Sequence, residues 1–291
     1  MAGERLPTFL PNPSKPKLRL PPGSWDTHCH IFGPKAKFPF AATSSIDPAD
    51  APKEKLFALH RFLGIERCTI VQSAVHGMDN RVVEDALAAK GGQYLAVALL
   101  PPTAPDAELR RLDNLGFRGV RYHFMQHLHR AASMEEILAL APRLAKVGWH
   151  LQLHTEAALL PELAPALERA AVPVVIDHIG RIDAGLGPNQ APFQALLRLM
   201  RSDKFWVKVS GCDRITRAGP PYADALPFAH KLVAEFPDRV VWGTDWPHPH
   251  HKGPVPDDGQ LVDIIAEMAP TEVLRRKLMV DNPGRLYDRK E

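Results

Sequence analysis

Short apolar, β-branched runs alternate along the chain with longer segments whose apolar residues recur every three or four positions. The short runs are Trp25–Phe32, Cys68–Val75, Tyr94–Leu100, Gly119–Phe124, His150–Thr155, Val172–Ile179, Phe205–Gly211 and Val240–Asp245. Runs of this length, bounded by turn residues, read as buried strands. Helical periodicity fills the gaps at roughly 53–63, 80–90, 105–115, 133–147, 157–170, 191–202 and 222–236, then 258–268 with 271–279. Ser133 with Glu136 three residues on has the pattern of a capping box, and breaks near Gly116, Gly148 and Pro173 fit helix-to-strand turns. Eight strands with eight helical regions is the count of an α/β closed barrel, the (β/α)8 or TIM barrel. An open doubly wound sheet usually carries a glycine-rich phosphate turn after its first strand; here that strand ends in histidines. The proline-rich residues 1–24 stand apart as an extended arm expected to lie across a single barrel domain of residues 25–291.

Composition narrows the partners. The chain has 291 residues, 45% hydrophobic and 24% charged, with a formal net charge of +3. No long basic block or Lys/Arg stripe is present, so nucleic acid is not an expected partner, and a small anion suits the slight cationic excess. No run approaches the length of a membrane span, and the N-terminus lacks the apolar region of a signal peptide. Three cysteines, Cys29, Cys68 and Cys212, make no disulfide framework, which points to a reducing, cytoplasmic setting. A homo-oligomer is compatible with all of this.

The candidate chemistry gathers at strand ends. In Asp26-Thr27-His28-Cys29-His30, alternation puts Asp26, His28 and His30 on one side and Cys29 on the other, toward the core. Two imidazoles at i and i+2 can converge on one ion or one substrate oxygen; alone, they can equally be hydrogen-bonded polar residues at a strand end. The later runs end in His154, His178 and Asp245. In a barrel these ends share one rim, where catalytic groups sit, and packing alone does not explain that distribution. The rim also has Arg121, Arg181, Arg214 and Arg217 nearby, whose guanidinium forks match carboxylates. Ser73 and His76 follow the second run; His248, His250 and His251 follow the eighth. Of these three, His248 is expected near the site, and the other two are expected as solvated loop residues or an adventitious metal site. No G-x-S-x-G elbow is present, which argues against a serine esterase.

The H-x-H of the first strand, DHIGR at 177–181 and GTDWPHP at 243–249 resemble the amidohydrolase superfamily, and within it the 2-pyrone-4,6-dicarboxylate lactonase branch. The similarity extends from about Pro21 to Tyr287 through PPGSWDTHCHIFGP, FPF at 38–40, VQSAVHGMDN, GVRYHF, GWH at 148–150, AGPPY at 218–222 and PDDG at 256–259. The resemblance implies a (β/α)8 hydrolase opening an acidic lactone, pyrone-dicarboxylate-like or muconolactone-like, with Arg121 and Arg214 gripping substrate carboxylates. It departs from the branch at three places: His127 stands where a third basic clamp is found, His154 where a tyrosine ends strand five, and Ile46 near an expected tyrosine. The branch works without an ion, but an imidazole at 154 restores a position that metal-dependent relatives use. His28, His30, His154 and Asp245 are therefore candidate ligands for one divalent ion, Zn²⁺ or Mn²⁺, with metal-free catalysis as the alternative. The expected roles are Asp245 as general base, and His178, His28 and His30 around the scissile carbonyl. Arg121, Arg214, His154, His127, Ser73, His76, Arg181 and His248 are the substrate-binding candidates. A metal-dependent decarboxylase on the same fold is the rival enzyme, and a non-catalytic metal or anion binder the rival outside catalysis.

Overall fold

In the computed structural model, which describes residues 6–251 and 253–288, eight parallel strands follow one another in sequence order around a single sheet. They are β1 (Trp25–Cys29), β2 (Arg67–Val71), β3 (Tyr94–Ala98), β4 (Phe117–Phe124), β5 (His150–Thr155), β6 (Val174–Ile176), β7 (Phe205–Lys208) and β8 (Val240–Val241). The seam closes through hydrogen bonds from Thr27 N to Trp242 O (3.0 Å), His30 N to Trp246 O (2.7 Å) and Asp245 N to His28 O (2.7 Å). The fold is the (β/α)8 barrel expected from the hydrophobic pattern.

The helices form for reasons visible in the chain. In Met134–Lys146, the Ser133 side chain accepts the Glu136 N–H while the Glu136 carboxylate accepts the Ser133 N–H, a complete capping box contributing about 1 kcal/mol. Its buried residues Ile137, Leu140, Ala141 and Leu144 fall at i, i+3, i+4 and i+7 and form the stripe packed on the barrel. The helices Lys53–Leu63 and Asp106–Leu115 both stop at a left-handed glycine, Gly64 and Gly116.

Six strands end earlier than the apolar runs, all but β4 and β5. β1 stops at Cys29, β6 at Ile176 and β8 at Val241. Beyond β6, His178, Ile179, Gly180 and Arg181 have φ between 49° and 65°, and Asp245 has φ 60°. Left-handed backbone costs a non-glycine residue roughly 1–2 kcal/mol. Here it turns the chain off the strand direction, so that His178 and Asp245 cross the barrel mouth instead of continuing upward. A short helix, Cys212–Ile215, which the periodicity did not reveal, follows β7 and presents Arg214.

The N-terminal arm is tied to the loops at the barrel mouth and to the C-terminal helices. Thr8 Oγ1 donates to Pro247 O, Ser14 N to the Asp257 carboxylate (3.0 Å) and Leu18 N to Asp263 Oδ1 (2.8 Å), and Phe9 packs on Trp246. Among the described residues no helix is long and apolar enough to cross a membrane.

Candidate active site

Asp26 anchors the floor. Its carboxylate accepts the His28 N–H (2.9 Å), the Thr244 N–H (3.1 Å) and the Thr244 hydroxyl (2.6 Å), and lies 3.2 Å from His60 Nε2. These contacts bind the first strand to the segment after the last. Gly243 is required between them, because a Cβ there would stand 2.4 Å from His28 N and 2.7 Å from Asp26 Oδ1. Gly211 plays the same part beside His178: its φ is 84°, and a Cβ would meet that of His178 at 2.8 Å.

Three imidazoles surround one carboxylate. His30 Nε2 is 3.3 Å and His28 Nε2 3.7 Å from Asp245 Oδ1, and His178 Nε2 is 3.7 Å from Oδ2. Arg214 approaches Oδ2 with Nε at 2.8 Å and Nη2 at 2.6 Å. Burial alone would push the Asp245 carboxyl up; Arg214, with His178 and His30 beside it, outweighs burial and holds it well below the usual carboxylate range. His30 Nδ1 donates to Val71 O at 2.7 Å, so a neutral ring turns its Nε2 lone pair toward Asp245. Two acceptors then face each other, and a proton or a cation between them removes the repulsion.

Beneath this ring lies a second buried layer. Asp177 Oδ2 accepts Arg121 Nε (2.8 Å) and Gln152 Nε2 (3.2 Å), while Oδ1 is 3.3 Å from His28 Nδ1 and 3.8 Å from Lys208 Nζ. Lys208 donates to Thr27 O (2.7 Å) and lies 3.3 Å from His28 Nδ1. Burial and the Lys208 charge depress His28 to about 3, so it is neutral, and burial brings Lys208 down to about 8. Asp177 stays ionised because Arg121, His28 and Lys208 outweigh its burial.

The pocket over these layers is lined by His30, His178, Asp245, Arg121, Arg181 and Arg214, with Ser73, His127 and His154 at its sides. His28 is fully buried beneath it. His76 and His248, expected to touch substrate, are not in this lining. His76 accepts the Gly33 N–H at Nε2 (3.0 Å) and bonds Pro39 O through Nδ1 (3.1 Å), which commits both nitrogens to pinning the loop after β1. His248 is fully buried with Nε2 3.2 Å from Asp258 Oδ1. Arg217 pairs with Asp183 on the surface. Conversely His250, expected as a solvated loop residue or part of an adventitious metal site, lines the pocket with its ring 4.7 Å from that of His127, and burial and His127 depress it to about 4.

Sequence reasoning passed over His123, Asp177 and Lys208. His123 faces the pocket two residues after Arg121, as strand alternation requires, with both ring nitrogens buried and without a hydrogen-bond partner. Asp177 and Lys208 are charges at the ends of apolar runs, a signal that buried pairing exists but not with whom.

The residues fit a divalent ion. Among the described residues, ligand atoms of His28, His178 and Asp245 all lie within 4.8 Å of one another, all three residues are buried, and His28 Nε2 has no hydrogen-bond partner. This set differs from the one expected: His30 and His154 lie outside it and His178 is inside it. The β4–β5 register pairs His123 with His154, and the His154 ring stands 5.6 Å from those of both His123 and His178.

Comparison with known proteins follows the same lines. A family model described as amidohydrolase matches residues 25–289. The 2-pyrone-4,6-dicarboxylate hydrolase of Comamonas testosteroni is 45% identical, covering 98% of this chain and 97% of that protein. The 4-sulfomuconolactone hydrolase of Rhizobium radiobacter is 41% identical, covering 92% and 91%. An Agrobacterium tumefaciens crystal structure without ligand superposes with a TM-score of 0.85 at 28% identity, covering 94% of this chain and 99% of that one.

Proposed function

The chain belongs to the amidohydrolase family, and from that premise we propose that it is a hydrolase that opens the ring of an acidic lactone. The observation that carries the reading is one ionised carboxylate, Asp245, set among three imidazoles in a pocket that also exposes three arginines. Similar proteins named as hydrolases of lactones favour this over decarboxylation.

Water attacks the lactone acyl carbon as Asp245 takes its proton. The carbonyl oxygen gains negative charge beside the Arg181 guanidinium, with His30 and His178 lining the same pocket and His28 buried beneath them. The ring C–O bond then breaks, and the released oxygen takes back the proton, giving the open-chain acid. Arg121, its guanidinium plane fixed by Asp177, holds a substrate carboxylate, and Ser73, His127, His154 and Arg181 complete the binding surface. Arg214 has a double part. While it pairs with Asp245, that carboxylate is a weak base. A substrate carboxylate that draws the guanidinium toward itself raises the basicity of Asp245 when the substrate is in place.

A divalent ion would be held by His28, His178 and Asp245, and when bound it supplies Lewis acidity to the water and carbonyl. The free buried thiols Cys29, Cys68 and Cys212 suit a cytoplasmic enzyme. The test is turnover of acidic and neutral lactones by purified protein, with elemental analysis of the same sample. Release of CO2 without an open-chain acid would refute hydrolysis.

A further inference from the structure

We propose that the catalytic pocket opens sideways into an apolar chamber that receives a hydrocarbon or aryl substituent of the substrate, so that the preferred lactone is amphiphilic. The identity of the reacting ring rests on the hydrolase reading above; the chamber stands on geometry of its own. It encloses about 280 Å³, against about 40 Å³ in the catalytic pocket. A buried apolar cavity of roughly 150 Å³ accommodates benzene, so this space exceeds what a phenyl or short alkyl group needs.

Its inner wall comes from the ends of β2, β3 and β4, and its outer side from residues 41–45 and 128–131, of which Thr43, Ser45 and His129 are exposed. Val75, Leu99, Leu100 and Tyr122 are buried there, and the half-exposed Met78 forms the rim. The two spaces adjoin, since Ala74, Arg121, His123, Leu128 and His250 line both. Charge divides sharply at that junction. Arg181, Arg214 and Asp245 line only the catalytic side, whereas among the described residues the chamber lining has Arg121 with His123, His129 and His250, and no carboxylate. An anionic group placed deep in the chamber would give up hydration without a partner, whereas an apolar one is stabilised by leaving water. A lactone whose every substituent is charged would leave the larger of the two spaces unfilled.

The experiment separates the chamber from the reaction. Binding of succinate and 2-phenylsuccinate, which resemble open-chain products without and with an aryl group, is measured by titration calorimetry. The chamber predicts affinity about ten- to a hundredfold higher for phenylsuccinate, the gain for burying one phenyl-sized side chain. Leu99→Trp, which fills the chamber from a residue outside the catalytic lining, should cut that preference below about threefold and leave succinate affinity within about twofold. Thermal melting checks its folding, and Met78→Trp fills the space from the exposed rim should Leu99→Trp fail to fold. Phenylsuccinate binding no better than succinate, unmeasurable binding of both included, overturns the inference; so does a preference that survives in both filled variants. In parallel, kcat/KM is measured for butenolide acids with and without a phenyl group. A phenyl preference in binding with no lactone opened sinks the hydrolase reading and leaves the chamber. Lactones opened without a phenyl preference sink the chamber and leave the hydrolase.

Discussion

Replacing Arg214 by methionine separates the two parts assigned to that guanidinium. In the structure it donates Nε to Asp245 at 2.8 Å, Nη1 to Pro249 O at 2.8 Å, and places Nη2 2.6 Å from the same carboxylate. Methionine keeps much of the stem and removes every donor. Loss of a charge-assisted contact to a substrate carboxylate costs about 1.5–3 kcal/mol, or roughly 13- to 160-fold in kcat/KM for acidic lactones, and nothing comparable for neutral ones. The second effect is on Asp245. Without its cationic neighbour the carboxyl rises, so less of it is ionised at low pH and the acid limb of the pH–rate profile moves to higher pH, for acidic and neutral lactones alike. The assay is kcat/KM for a matched pair of lactones across the acid range, with folding checked by calorimetry because the broken ion pair is buried. An equal loss for both lactones would make Arg214 structural. An acid limb that does not move would refute its control of the base.

Asp245→Asn should lower turnover by about 10² to 10⁴ with substrate binding retained, read by single-turnover kinetics and calorimetry; a rate within about threefold of the parent removes Asp245 from the base role. If the protein carries an ion, His178→Ala should lower bound metal in elemental analysis and His154→Tyr should not; the opposite pattern would return His154 to the ligand set. Gly243→Ala should lower the melting temperature and, by displacing His28, activity as well, since its Cβ has no room beside His28 N; an unchanged melt would show that the seam yields. His60 is raised to about 9: its burial is outweighed by hydrogen bonding to Asp26. That stabilisation, on the order of 3 kcal/mol, is fully present below the unfolded value of 6.5 and is lost as pH rises through about 9. Denaturant melts should therefore weaken over this window in the parent, and hardly at all from this source in His60→Gln.

The barrel was legible in the chain because each strand is a compact apolar run and each helix has a stripe at the right period, as Ile137, Leu140, Ala141 and Leu144 illustrate. His28, His30, His178 and Asp245 were legible because polar side chains at the ends of three strands have few structural reasons to be there. Their grouping was not. Whether His154 or His178 meets β1 depends on left-handed turns after β6 and on the β4–β5 register, which hydrophobic periodicity does not encode. The same limit explains His76 and His248: their local sequences place them near the mouth, but only tertiary partners, Gly33 with Pro39 and Asp258, turn them away from it. Lys208, in an apolar strand, was visible as an oddity whose meaning lay in β1 and at the end of β6.

The polar seam held by Asp26 has a consequence for assembly. Thr27, His28 and His30 meet Trp242, Asp245 and Trp246 across more than 200 residues of chain, and the hydrogen bonds that shut the cylinder position Asp245 among the imidazoles. A nascent chain that has not yet reached Asp245 has its three imidazoles but neither their anion nor a closed wall. Reactivity therefore arrives with the final stage of folding, all at once. Fragments lacking either end should be inert however well their remaining strands pair, and protection of the His28 and Asp245 amides from hydrogen exchange should appear together.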